Sequence, residues 1–200
     1  MKLTDSQRFW DQLGEADPMW TVLSVDEKFG GKWNADEFFA TGVAATDELL
    51  REVEATGVAI NTARALDFGC GVGRLTQALA RHFEAVVGVD ISRAMIELAQ
   101  RYNPAGRCTY LVNDTNDLSQ FADGSFTFVH SIIVLQHIRQ PHSVNYIREF
   151  ARVTAPGGAI VFQVPEKASG DALGAVKRGL RRFINTSPLL VRAYRRLMFP

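Results

Sequence analysis

The stretch ALDFGCGVGRLT, residues 65–76, places three glycines within five positions directly after a short apolar run. Glycine tolerates positive φ and lets the backbone approach a ligand closely. The free N–H groups of a helix that begins after such a turn also attract negatively charged groups. The stretch therefore predicts a strand, a tight turn and a helix with a ligand at the turn, although glycine-rich turns without a ligand are also common.

Around this stretch, short runs typical of strands alternate with longer runs of helical periodicity. The strand-like runs are residues 63–68, 85–90, 108–114, 125–131 and 159–164. This alternation predicts an α/β fold with a doubly wound, mostly parallel sheet in a three-layer αβα arrangement. Ligands of such sheets bind beyond the carboxyl ends of the strands, near the point where the strand order reverses. The residues that end each strand are therefore the candidate site residues.

We expect one domain with three segments. Residues 1–60 are rich in helical patterns and aromatic side chains, and we interpret them as a helical N-terminal cap or lid within the same domain. Residues 61–166 form the predicted ligand-binding core. Residues 167–200 carry apolar side chains at helical spacing among arginines, which predicts basic amphipathic C-terminal helices.

The composition is that of an ordinary globular domain, with 200 residues, 46% of them hydrophobic, and 22 basic against 22 acidic side chains. No apolar run approaches the roughly 20 residues of a transmembrane helix, and the N-terminus is too polar for a signal peptide. We therefore expect a cytoplasmic protein without membrane insertion. Cys70 and Cys108 lack the spacing of a disulfide framework or a zinc site.

The charge is uneven along the chain, because residues 171–200 hold seven basic side chains and one acidic one. Such a segment suits either a polyanion contact or solvated outer faces of helices. We favour the second interpretation, since charged helix faces are usually exposed to water. Nucleic-acid binding is accordingly not expected.

The second strand-like run ends in Asp90, about twenty residues after the glycine loop, where an acid can accept hydrogen bonds from the hydroxyls of an adenosine ribose. The loop and the acid together indicate a nucleoside ligand. A dinucleotide fits less well, because Arg74 stands where the GxGxxG fingerprint has its third glycine. Asp67 beside the loop would repel a pyrophosphate, but it suits a ligand that carries an ammonium group.

Five blocks, in order, resemble the class I S-adenosylmethionine-dependent methyltransferases. They are LDFGCGVGRLT at the glycine loop, VVGVDIS at 86–92, LVNDTNDL at 111–118, DGSFTFVHS at 123–131 and REFARVTAPGGAIVFQVP at 148–165. The resemblance runs from about Thr62 to Pro165 with the spacing normal for the family. It implies S-adenosyl-L-methionine as the methyl donor and S-adenosyl-L-homocysteine as the product.

The resemblance implies that the methionine end of the donor lies at the glycine loop. The backbone of Gly69 and Gly71 would hold it, and Asp67 would lie near its ammonium group together with the chain at Ser131. Cys70 and Arg74 belong to the same predicted donor-binding set.

For the adenosine end, the resemblance implies that Asp90 binds the ribose. The other predicted contacts are Ile91 and Met95 along the adenine, Asp114 to its amino group and the Thr115 backbone to a ring nitrogen. An alternative role for Asp114 is a cap at the strand end. Ser92 is expected to be the N-cap of the following helix rather than a ligand contact.

The chain departs from the family pattern in the fourth strand block and after it. Position 127 is Thr where the family often has an acid. The segment SIIVLQHI, 131–138, is similar to metal-assisted relatives, but it has Ile133 and Gln136 where those supply carboxylates, so no metal is predicted. His137 is the candidate general base, with a structural histidine bonded to the backbone as the alternative. We expect His142 to be unimportant.

Two expectations concern the ends of the chain. Trp33, Phe38, Phe39 and Gly42 stand where relatives place a helix over the donor, but these residues suit an ordinary core equally well. The family normally completes its sheet with two further strands, and this final β-hairpin is expected to be absent here. We interpret the chain as truncated and expect impaired catalysis.

The sequence thus predicts an S-adenosylmethionine-dependent methyltransferase that acts on an O or N atom of a small-molecule acceptor. One alternative is a non-catalytic S-adenosylmethionine-binding regulator or partner protein. Another is an NAD-dependent oxidoreductase, which the residue at 74 disfavours. The sequence does not indicate the identity of the acceptor or the oligomeric state.

Overall fold

The computed structural model describes residues 3–103 and 106–164. The helices are α1 (Leu3–Ala16), α2 (Pro18–Val22), α3 (Ala35–Ala55), α4 (Arg74–Leu79), α5 (Arg93–Arg101) and α6 (His142–Val153). The strands are β1 (Arg64–Phe68), β2 (Ala85–Asp90), β3 (Cys108–Val112), β4 (Phe126–Ser131) and β5 (Thr154–Phe162). Short 3₁₀ helices cover Asp26–Lys28 and Leu135–His137.

The five strands form one sheet in the order β3-β2-β1-β4-β5, and every pairing is parallel. The order reverses between β1 and β4, so their carboxyl ends define the switch point at which ligands bind in such sheets. This topology confirms the predicted doubly wound α/β fold. The predicted strands all exist, with ends that move by a few residues.

Both faces of the sheet are covered, because successive residues of each strand point to opposite sides. Ala65, Val86 and Phe128 pack in one cluster with side chains of α3, α4 and α5. Leu66 and Val87, one position further along their strands, pack in a second cluster with side chains of α6. The arrangement is the predicted three-layer αβα sandwich.

Polar side chains cap the helices that approach the carboxyl edge of the sheet. Ser92 is the N-cap of α5, where its side chain accepts a hydrogen bond from the Met95 N–H at 3.2 Å. The prediction for Ser92 is therefore confirmed. Asn34 caps α3 by accepting from the Glu37 N–H at 3.2 Å. These caps satisfy N–H groups that a helix leaves free in its first turn.

The model differs from the predicted elements in two places. β5 begins at Thr154 rather than at 159, and its pairing with β4 is irregular between Phe126 and Phe128. Gly157 lies in this irregular part with φ of 78°, a backbone conformation that favours glycine. In addition, the helical periodicity of RLTQALARHF, 74–83, predicts a helix over that whole run, but α4 ends at Leu79.

Several expectations fall outside the part of the chain that the model describes. The predicted C-terminal helices of 167–200 and the question of a final β-hairpin lie there. Within 3–103 and 106–164, none of the helices has the length and apolar character required to cross a membrane.

Candidate functional site

A cavity of about 370 Å³ opens at the carboxyl ends of β1, β2 and β4. Its volume lies within the roughly 300–1,000 Å³ of small-molecule sites. The glycine loop forms one wall, and the segment that follows β4 forms another. The described residues from the predicted donor set that line it are Asp67, Gly69, Cys70, Gly71, Arg74, Asp90, Ile91 and Met95. Most of the donor-binding residues predicted from the sequence therefore lie around one cavity.

The glycine loop is left-handed at three positions, with φ of 79° at Gly69, 53° at Gly71 and 85° at Gly73. Side chains are disfavoured there by the backbone conformation. They are also excluded by space, because a Cβ at Gly69 would overlap Val134 and one at Gly71 would overlap Val22. The loop therefore requires glycine at these sites, and its bare backbone borders the cavity.

Asp90 ties the glycine loop to the end of β2. Its carboxylate accepts hydrogen bonds from the Gly71 N–H and the Ser92 N–H, each at 2.9 Å. Burial raises the pKa of Asp90 to about 6, partly offset by these two hydrogen bonds. A carboxylate has about four acceptor sites, so Asp90 keeps capacity for hydroxyl donors from the cavity.

Asp67 is a second buried carboxylate at the cavity. It lies on β1, one residue before the strand ends and the glycine loop begins. Its Oδ2 accepts a hydrogen bond from the Thr76 hydroxyl at 2.6 Å, and its Oδ1 lies 3.0 Å from Nδ1 of His130. The side chain is 4% exposed. A negative charge held this way favours a cationic ligand group in the cavity.

Arg74 and Ser131 are both buried, but of these two predicted site residues Arg74 lines the cavity and Ser131, the last residue of β4, does not. The Arg74 Nη1 donates to the Thr41 hydroxyl at 3.2 Å. Burial lowers the pKa of Arg74, and the charge of Asp67 opposes this change. Among the described residues, the Arg74 Nε and the Ser131 Oγ have no hydrogen-bond partner. Gln77 Nε2, which does not line the cavity, also lacks a partner in the described part of the chain, so this feature is not specific to the ligand site.

The adenine side of the predicted site is only partly assembled at the cavity. Ile91 and Met95 line it. Asp114 and Thr115 do not line it: the Asp114 carboxylate lies 3.3 Å from Nη2 of Arg93 and is half exposed, while the Thr115 hydroxyl bonds to the backbone of its own loop. The predicted adenine contacts of these two residues remain predictions.

Asn113, one of the strand-end candidates, lines the cavity, although no ligand contact was predicted for it. It is buried, and its side-chain amide donates to the Thr115 carbonyl at 3.3 Å and lies 3.2 Å from the Tyr146 hydroxyl, which also lines the cavity. These bonds fix the backbone of the loop after β3. Its position directly after β3 is the sequence signal for a site residue, but the predicted adenine contact was assigned to Asp114, the next residue.

His137 lies at the far side of the cavity, in the 3₁₀ helix after β4. Its ring packs edge to face on Trp10 of α1, with centroids 5.3 Å apart. Burial lowers the pKa of His137 to about 4. The imidazole is therefore neutral at physiological pH, which is the form that can accept a proton, although a low pKa makes it a weak base.

The N-terminal cap contributes to the cavity through α1 and α2. Ser6, Trp10, Thr21 and Val22 line it. The aromatic side chains considered as a lid lie elsewhere: Trp33, Phe38 and Phe39 pack with Met19, Val72 and Met95 in a hydrophobic cluster. These aromatic side chains therefore belong to the core, which was the alternative interpretation. Gly42 allows α3 to pack closely on α4, because a Cβ there would overlap the Arg74 backbone.

The part of the chain that forms most of the cavity is also similar to known proteins. A family model described as a methyltransferase domain matches residues 66–162, which include the glycine loop and four of the five strands in full. This match covers just under half of the chain, and over these residues the chain is similar to methyltransferase domains.

Among its relatives is the ubiquinone biosynthesis O-methyltransferase of Xanthomonas campestris pv. campestris (strain B100), 32% identical over 108 residues. The match covers 53% of this chain and 44% of that enzyme. The chain therefore spans less than half of this curated relative.

Two solved structures support the fold. The PH0226 protein from Pyrococcus horikoshii OT3 is 29% identical with a TM-score of 0.54, and the match covers 64% of this chain and 58% of that one. Magnesium protoporphyrin IX methyltransferase from Synechocystis PCC 6803, with bound S-adenosylhomocysteine, has a TM-score of 0.57 at 22% identity. That match covers 86% of this chain and 77% of the other, and it shows the shared fold.

Proposed function

We propose that the cavity binds S-adenosylmethionine and that the protein transfers its methyl group to an O or N atom of a small-molecule acceptor, with S-adenosylhomocysteine as the product. The observation that carries the proposal is the pair of carboxylates, Asp67 and Asp90, on either side of a bare glycine loop at one cavity. One carboxylate suits an ammonium group and the other suits ribose hydroxyls.

The residues present fit this donor. Asp90 would accept from the ribose hydroxyls, and Ile91 and Met95 offer apolar surface for the adenine. Asp67 would face the ammonium group. Arg74, which lines the cavity, offers a polar contact at the methionine end, while the predicted contact of Ser131 stays a prediction because Ser131 does not line the cavity.

Bound S-adenosylmethionine supplies a methyl group that its sulfonium charge has already activated. The protein then has to align the acceptor, exclude water and remove a proton where the acceptor is a hydroxyl. Trp10, Ile133 and Val134 line the cavity with apolar surface. His137, neutral beside Trp10, is the proposed proton acceptor.

Further properties remain predictions from the sequence: a small-molecule acceptor, a cytoplasmic location and catalysis without a metal. Within the residues that the model describes, no three His, Cys, Asp or Glu side chains form a group able to hold a metal ion.

Calorimetric titration tests the donor site. We expect S-adenosylmethionine and S-adenosylhomocysteine to bind, NAD not to bind, and Asp90→Ala to weaken binding on the order of 10- to 100-fold, the loss expected for hydrogen bonds to a charged group. Asp26→Ala, at an exposed position on the 3₁₀ helix of the cap, is the control that should bind as the unaltered protein does. Preferential NAD binding, or unchanged binding by Asp90→Ala, would refute the donor assignment.

Turnover separates an enzyme from a binding protein. With an acceptor found by screening phenols and amines, S-adenosylhomocysteine release should fall about 100-fold or more in His137→Ala, because a proton acceptor contributes roughly 10²- to 10⁴-fold. His142→Ala, which alters another cavity histidine, should retain turnover. Equal losses in both variants would exclude a specific proton acceptor at His137.

A further inference from the structure

His130 is a buried polar residue that neither lines the cavity nor belongs to the predicted site. It lies on β4 and is the register partner of Asp67 on β1. Its side chain is 2% exposed. An imidazole in such a position costs free energy unless it is hydrogen-bonded, so its partner explains why it is tolerated there.

The partner is the cavity carboxylate. His130 Nδ1 lies 3.0 Å from Asp67 Oδ1, and since an ionised carboxylate only accepts hydrogen bonds, Nδ1 carries the proton. The Thr76 hydroxyl holds the other oxygen at 2.6 Å. Asp67 borders the cavity, whereas His130 and Thr76 do not. Two donors therefore hold the carboxylate from behind, and its remaining acceptor sites are left for the cavity.

Among the described residues, Thr76 and His130 are the side chains that hydrogen-bond to the Asp67 carboxylate, whereas Arg74 interacts with it only through its charge. The register partners on the outer sides of these two strands are Gly88 and Val161, which bring no polar side chain. The Thr76 hydroxyl, on α4, bonds to Oδ2, the other oxygen of the carboxylate. The orientation of Oδ1 thus depends on His130.

We infer that His130 is a positioning residue for donor recognition: it orients the Asp67 carboxylate toward the ammonium group of the bound donor. The inference rests on the proposed function, because it requires a ligand with a cationic group beside Asp67. His130 acts on the amino-acid end of the ligand alone. Its removal should therefore alter selectivity between ligands with and without that end.

The experiment compares S-adenosylhomocysteine with adenosine, which lacks the amino-acid end, by calorimetry. His130→Leu should weaken S-adenosylhomocysteine binding about 10- to 100-fold, as expected for lost support of a charged contact. Adenosine affinity should change less than about threefold. His130→Asn places an amide N–H near the position of Nδ1 and should restore most of the difference. In an Asp67→Asn background, His130→Leu should have no further effect on the ratio of the two affinities.

The outcomes are distinct. If the unaltered protein binds neither ligand, the proposed function fails and the inference fails with it. If it binds both, and His130→Leu weakens both equally or neither, the role of His130 alone is refuted. Should His130→Leu not fold, ¹⁵N spectra of the unaltered protein provide the second measurement. The His130 Nδ1 signal should shift with S-adenosylhomocysteine and not with adenosine, and equal shifts would refute the inference.

Discussion

At the scale of single residues, Asp90 has two roles at the same atoms. Its oxygens hold the Gly71 and Ser92 N–H groups, which shapes the glycine loop before any ligand arrives. The same carboxylate borders the cavity. A group that organises its own site in advance reduces the cost of ordering that binding would otherwise incur.

The raised pKa of Asp90 predicts that donor binding depends on pH. With a pKa of about 6 in the free protein, the carboxyl is ionised at pH 8 and largely protonated at pH 5. Ribose hydroxyls donate to the ionised form, so binding lowers this pKa. S-adenosylhomocysteine affinity should then be constant above pH 7 and fall by up to about tenfold per pH unit below 6. Calorimetry from pH 5 to 8 measures this.

Asp90→Asn is the matched variant for the pH experiment. It cannot titrate, so its weaker binding should be nearly flat over the same range. A decline of equal steepness in Asp90→Asn would assign the pH dependence to another group. A flat profile in the unaltered protein would contradict the role of the carboxylate.

Local signals predicted the residues at strand ends better than those brought in from elsewhere. Asp67 and Asp90 follow from the alternation of strands and helices, because Asp67 is the penultimate residue of β1 and Asp90 the last of β2, at the same edge of the sheet. Trp10 reaches the cavity through the packing of α1, and no local pattern encodes which face of a distant helix will cover a site. From the sequence alone, His130 is indistinguishable from an ordinary strand residue, because its pairing with Asp67 depends on β4 lying beside β1.

At the scale of elements, α1 is fixed across the mouth of the cavity at two points. Asp11 accepts a hydrogen bond from the Ser92 hydroxyl at 2.7 Å, at the start of α5. One residue earlier, Trp10 packs on His137. The sequence indicated a helical cap with Trp33, Phe38, Phe39 and Gly42 as either lid or core residues, since aromatic content alone does not distinguish a cavity wall from a core.

Asp11→Ala should loosen this helix. Without the carboxylate, α1 loses its polar link to α5, so amide exchange within 3–16 should accelerate by about tenfold, the equivalent of roughly 1.4 kcal/mol of local stability. S-adenosylhomocysteine should bind several-fold more weakly. Hydrogen exchange with mass spectrometry measures the first effect and calorimetry the second. Gln12→Ala, at an exposed position of the same helix, is the control, and equal exchange in the two variants would show that Asp11 does not anchor α1.

At the scale of the whole molecule, the carboxyl and amino edges of the sheet have different roles. The carboxyl edge carries the cavity, and the amino edge carries contacts that hold strands together. Thr127, where the family often has an acid, lies near the amino edge. Its hydroxyl accepts from the Arg64 N–H at 3.0 Å and donates to the Asn61 carbonyl at 2.8 Å. The departure at this position therefore concerns the joining of β1 to β4, and Thr127 does not line the cavity.

This division predicts that stability and donor binding can be altered separately. Thr127→Val keeps the shape of the side chain but leaves the Arg64 and Asn61 backbone groups without this partner, so the free energy of unfolding should fall by about 1–2 kcal/mol. S-adenosylhomocysteine affinity should remain within about twofold. Thr127→Ser keeps the hydroxyl and should recover most of the stability. Urea unfolding followed by circular dichroism measures the first quantity and calorimetry below the transition the second. Substitutions at independent positions should change stability without changing binding. A tenfold loss of affinity in folded Thr127→Val would therefore show that the amino edge is coupled to the site.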